Sequence, residues 1–100
     1  MKKNLHLVLK HCWFDKIASG EKTSEYRECK PYWNMKFGGN KDWECAKIAY
    51  WEHYENVIFH KGYSSIVMEF EINNIYPIFN IKNDLDLPVC WEIELGKRIK

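Results

Sequence analysis

The side chains best equipped for chemistry lie in one run, Gly20-Glu21-Lys22-Thr23-Ser24-Glu25-Tyr26-Arg27. In an extended backbone successive side chains point to opposite faces. Thr23, Glu25 and Arg27 then share one face, and Ser24 and Tyr26 the other. Glu25 and Arg27 become neighbours close enough to pair, while Lys22 stands where the strand begins. A carboxylate, a guanidinium and an ammonium gathered in this way can hold a planar, hydrogen-bonding ligand such as a base or a nucleotide. Arg27 offers a donor fork, Glu25 accepts from ring or exocyclic N–H groups, and Lys22 meets a phosphate or a carbonyl. Trp13, Tyr26 or Tyr63 can supply a stacking face. The plainer alternative is a solvated strand edge whose ion pair contributes little.

These groups need elements to aim them. Leu5, Leu7 and Leu9 alternate with His6, Val8 and Lys10, which predicts a first strand over 4–10 with one buried face. His11 to Ser19 reads as a short helix with Trp13, Ile17 and Phe14 on its apolar side, Lys16 near its end and Gly20 as a left-handed exit. A second helix starts at Pro31 and breaks at Gly38-Gly39-Asn40. Over 41–55, Trp43, Ala46, Tyr50, Trp51 and Tyr54 recur near helical spacing, and a helix with an aromatic face is expected there; a strand over 47–51 is the alternative. Tyr32, Trp33, Trp43, Tyr50 and Trp51 either stack on unpaired bases beside Lys30, Lys36 and Lys41, or pack as a lid. A strand follows over 56–61, then a turn at Gly62-Tyr63-Ser64-Ser65. A long half-buried strand runs over 66–75 and is expected to end at Tyr76-Pro77, since proline does not continue a central strand. The 79–88 stretch reads as loop with Asn83-Asp84 at a turn, and Val89 to Leu95 as the last strand.

The 100-residue chain suits one domain over 1–100, and 46% hydrophobic with 16% aromatic residues argues against disorder. The formal charge of +1 argues against a grip on long duplex, which usually takes a more basic protein. Either the positive charge is gathered on one face, or the ligand is small or touched locally. The apolar runs are far too short for a membrane span, and no secretory leader is visible, so a cytoplasmic protein is expected. Cys12, Cys29, Cys45 and Cys90 show no close pair of the kind structural zinc sites use, and are expected to be reduced and mostly buried. Cys12 and Cys29 flank the charged run and stay open as nucleophiles. No metal and no cofactor is called for.

The run from Trp13 to Lys22, continuing to Glu25-Tyr26-Arg27, resembles the signature of the ASCH domain: a short helix ending in Gly-x-Lys, then x-x-Glu-x-Arg on the next strand. Val57 to Ser65 with Met68 to Ile72 is similar to that family's later strands, and the two blocks cover about half the chain in the expected order. The resemblance implies an α+β fold, a small PUA-like mixed or antiparallel β-barrel with short flanking helices. It also implies a cleft carrying Lys22, Glu25 and Arg27, and a link to RNA or a modified nucleobase. His60 or Lys61 would complete a positive rim; the two alternate on their strand, so one alone can face the cleft, and Lys61 is preferred.

Three functions follow from these residues, in order. The first is binding of RNA or a nucleobase by Lys22, Glu25, Arg27, Tyr26, Lys61, Tyr63, His60 and Trp13. The second is an RNA- or nucleoside-directed hydrolase using Lys22 and Glu25 as catalytic residues, akin to a ribonuclease or to the acetylcytidine amidohydrolases that the helix-Gly-x-Lys part resembles. Those amidohydrolases place a threonine three residues after the lysine, where this chain has Glu25, and their later glutamate has no clear counterpart here. An arginine beside the glutamate also suits a binding anchor better than a base. The third is a protein-interaction module.

Overall fold

The computed structural model describes residues 2–47 and 49–100. Strand β1 (Lys3–Leu9) leads into helix α1 (His11–Ala18), strand β2 (Ser24–Glu28) and helix α2 (Pro31–Gly38). Two 3-10 turns, Trp43–Cys45 and Tyr50–His53, precede β3 (Tyr54–Lys61), β4 (Val67–Phe79) and β5 (Val89–Arg98). The five strands form one mixed sheet in the order β1-β3-β4-β5-β2, with β1 parallel to β3 and the other pairs antiparallel. It curls into a half-barrel, so its two edge strands, β1 and β2, come to face each other across an open seam. The barrel is thus incomplete, and the seam is where the charged run lies.

The period-two alternation holds: Leu5, Leu7 and Leu9 are buried, and so are Val57 and Phe59 on β3 and Met68, Phe70 and Ile72 on β4. Residue 66, expected on that buried face, is instead exposed ahead of β4. Phe14 and Ile17 close α1 onto this core while Trp13 is half-buried. Gly20 leaves the helix at φ 84, a left-handed value that glycine takes without a Cβ penalty. On α2, Phe37 lies between the rings of Trp33 and Trp91, 5.6 Å from each. The buried Trp91 donates from Nε1 to Asn34 Oδ1 at 2.8 Å, and Asn34 Nδ2 donates to the Lys41 carbonyl at 2.6 Å. This pairs the one buried amide on α2, as burial of a polar group requires.

Three expectations need correction. The 41–55 stretch is not a helix. Asn40 Oδ1 accepts the Asp42 N–H (2.9 Å) and Asp42 Oδ1 accepts that of Glu44 (3.0 Å), local bonds that compete with helical ones. Ala49, at φ 67, then turns the chain out of any helical path, and β3 begins at Tyr54 (Ile48 lies outside the described residues). Its aromatic rings follow separate neighbours rather than one helix face: Trp43 packs on Phe79 at 5.1 Å, and Tyr50 on His53 at 4.7 Å. Second, β4 runs through Pro77 to Phe79. Its pairing with β3 covers only Val67 to Glu71, so from Ile72 onward β4 has β5 alone as partner and behaves as an edge. Proline is tolerated on an edge, and Asn74 Oδ1 takes the Ile75 N–H nearby at 2.9 Å. Third, the thiols are free but not mostly buried: Cys90 is buried, Cys29 half-buried, and Cys12 and Cys45 exposed.

Candidate functional site

The turn after α1 fixes where Lys22 goes. Gly20 N–H bonds to the Ile17 carbonyl (3.1 Å) and Lys22 N–H to that of Lys16 (3.0 Å), so the helix end and the start of β2 are one rigid corner. On β2, Glu25 and Arg27 share a face as the alternation predicts, and Glu25 is only 5% exposed. A carboxylate this buried must be paired. Lys22 Nζ donates to its Oε1 at 2.9 Å and Arg27 Nη1 to its Oε2 at 2.6 Å. Each oxygen thus holds one cation, and Glu25 sits as a bridge between them.

The two cations differ in everything else. The Lys22 ammonium is also ion-paired to Asp84 and lies over two rings, 4.4 Å from the Trp13 centroid and 5.3 Å from that of Tyr26. It borders a cleft of about 430 Å³ whose charged walls are Lys16 and Lys22 against Glu21, Asp84 and Glu92. Arg27 faces the seam. Its Nη1 also donates to the Tyr26 carbonyl (2.9 Å), and its Nη2 reaches across to the Val8 carbonyl of β1 (3.3 Å). A guanidinium therefore joins the two edges where no strand ladder does. Its plane packs against Trp33, 5.3 Å from ring centroid to Cζ. The seam itself is a groove of about 580 Å³ bounded by His6, Lys10, Trp13, Arg27, Tyr32 and Trp33 among others. Trp13 is a wall of both clefts.

Lys22, Glu25, Tyr26, Arg27 and Trp13 thus come together, and three other expected residues do not join them. Lys61 points to α1, where Nζ pairs with Asp15 Oδ1 at 2.8 Å and lies over Phe14. His60 pairs with His6 across β1 and β3, with 2.9 Å between ring nitrogens. Tyr63 is fully exposed in the β3–β4 turn. In the other direction, Asp84 and Leu85 were legible only as loop residues. Leu85 borders the seam groove while Asp84 borders the Lys22 cleft, so one loop tip touches both. Lys22 and Asp84 stand 62 positions apart in the chain, and no local pattern links them.

Burial, then Glu92 and Asp84, push the Tyr26 hydroxyl above its ordinary range. Burial likewise pushes the Cys29 thiol up to about 11, so at neutral pH it is a thiol and a poor nucleophile. Both oxygens of Glu25 are engaged, one by each cation. Among the described residues no three His, Cys, Asp or Glu side chains gather to hold a metal ion. No described helix is long and apolar enough to cross a membrane.

The fold and site together define a class: a small α+β half-barrel with a carboxylate-bridged cation pair at its seam. Models of known families, curated proteins and solved structures were each compared with the chain, and none matches it.

Proposed function

We propose that this chain is a nucleic-acid-associated domain of the ASCH kind, a PUA-like half-barrel that binds RNA or a modified nucleobase around Lys22, Glu25 and Arg27. The observation that carries the reading is the buried Glu25 carboxylate holding Lys22 at 2.9 Å and Arg27 at 2.6 Å between aromatic walls. Such a bridge fixes two cations on one buried anion. The seam adds an exposed ring: Tyr32 is 61% exposed, next to the half-buried Trp13 and Trp33. Aromatic faces beside Arg27, Lys10 and His6 suit an unpaired base with its phosphate. A formal charge of +1 fits a short single-stranded or nucleotide-sized contact. Free thiols at all four cysteines suit a reducing compartment such as the cytoplasm.

The test is a thermal-shift screen against nucleosides, nucleotides and short single-stranded RNA. A ligand that binds the native state raises its melting temperature by mass action. Wild type is expected to shift with RNA or a nucleotide, Tyr32→Ala to shift less, and Lys22→Ala to lose the shift. No shift with any of these ligands sinks the reading and leaves a protein partner as the better one.

A further inference from the structure

We infer that Asp84 is a placeholder for a ligand anion: the Lys22 ammonium is a subsite for one singly charged phosphodiester of RNA, and the loop over 80–88 fills it with the protein's own carboxylate until the ligand arrives. This rests on reading the cleft as a nucleotide site. Lys22 and Arg27 both lean on one buried carboxylate, Glu25, which leaves one positive charge to balance. Asp84 supplies the balancing anion, and it comes from a loop rather than from the sheet. Its side chain stays 34% exposed, against 9% for Lys22 and 6% for Glu25. The cation and its bridge are built in; the second anion is the replaceable member.

The loop is braced as one piece. Asn83 ties it internally: Nδ2 donates to the Ile81 and Leu87 carbonyls at 2.9 and 2.8 Å, and Oδ1 accepts from Leu85 N–H at 3.0 Å. Among the described side chains of this loop, Asp84 alone makes an ion pair to the rest of the protein. Because Leu85 borders the seam groove, lifting Asp84 from Lys22 also opens the groove beside Arg27. A phosphodiester exchanges for Asp84 at constant local charge. A doubly charged phosphate monoester would add a charge next to Glu21 and Glu92, which wall the same cleft.

Removing the placeholder should therefore tighten binding. Affinity for a ligand whose competent state is partly populated is reduced by that population. Asp84→Asn is expected to bind a short fluorescein-labelled single-stranded RNA about threefold to fivefold more tightly than wild type, the cost of breaking a partly exposed ion pair. Asp86→Asn removes the same charge from the same loop without touching Lys22, and should leave affinity within about twofold of wild type. The same RNA with neutral methylphosphonate linkages should gain nothing from Asp84→Asn. Equal or weaker binding by Asp84→Asn overturns the placeholder, as does an equal gain in Asp86→Asn or an equal gain with the neutral backbone. If wild type and both variants bind no RNA at all, the nucleotide reading of the cleft fails and the placeholder with it.

Discussion

The two sides of Glu25 make an instructive pair. On one side Lys22 is saturated: a buried carboxylate, a loop carboxylate and two rings surround its ammonium. On the other, Arg27 spends its donors on Glu25 and on two main-chain carbonyls, one of them on the opposite sheet edge. The first cation is caged by side chains, one of them carried on a loop. The second is part of the frame, and its groove is open. A pair of cations sharing one carboxylate can therefore divide between structure and recognition. What decides is where the remaining contacts come from, backbone on one side and a loop on the other.

The strongest way to break this comparison is Glu25→Ala. Both cations would lose their common partner in a setting where Lys22 is 9% and Arg27 18% exposed. Removing one member of a buried ionic group destabilises by about 3–5 kcal/mol. Urea denaturation should show a loss of that size; a loss below about 1 kcal/mol would mean the two sides are not coupled through this carboxylate. Next comes Arg27→Lys. An ammonium can keep the Glu25 contact but cannot also reach the Tyr26 and Val8 carbonyls from one plane. A loss of about 1–3 kcal/mol is expected in the same measurement, from donors to a charged group and across the seam. If Arg27→Lys is as stable as wild type, Arg27 is not part of the frame and the contrast with Lys22 collapses.

Tyr32→Ala sharpens the comparison from the ligand's side. The ring is exposed on α2, so stability should stay within about 0.5 kcal/mol. Loss of one stacking surface should weaken RNA binding by about 1–3 kcal/mol, read by fluorescence anisotropy. Unchanged affinity would move the ligand out of the seam and back to the Lys22 cleft alone.

Much of this was legible before the fold was known, and the reason is local. Alternation puts Glu25 and Arg27 on one face whatever else the chain does, and Gly20 stops α1 just where Lys22 must turn into β2. Leu5, Leu7 and Leu9 mark their own face for the same reason. What the sequence hides is long-range or one-sided. Pro77 reads as a strand end because sequence does not reveal that β3 stops pairing before Ile72. The aromatic spacing over 41–55 imitates a helix, while Asn40, Asp42 and Ala49 set the backbone otherwise. Lys61 and His60 carry suitable chemistry, yet their partners Asp15 and His6 lie on α1 and β1 and draw them away from the cleft. The grip of Asp84 on Lys22 leaves no trace in either neighbourhood.

The smallest expected effect separates the two sides by their acidity. Tyr26 on the Lys22 side and Tyr76 on β4 are both pushed up, first by burial and next by Glu92, Tyr76 to about 12. Both hydroxyls stay protonated in the folded protein where the unfolded chain would ionise, near pH 10. A folded-state value above the unfolded one gives stability that is complete below the unfolded value. That stability is lost as pH rises toward the folded one. Stability should therefore hold to about pH 10 and fall between there and pH 12. Glu92→Gln removes the negative charge next to both rings but leaves an acceptor for Ser24 Oγ, which now donates to Glu92 Oε2 at 2.8 Å. In the variant, the upper part of the tyrosinate absorbance curve should move to lower pH than in wild type. Were Glu92→Gln to leave that curve in place, burial and the other neighbours, Asp84 for Tyr26 and Glu94 for Tyr76, would set these hydroxyls. The acidic character of the Lys22 cleft would then rest on Glu21 and Asp84 rather than on Glu92.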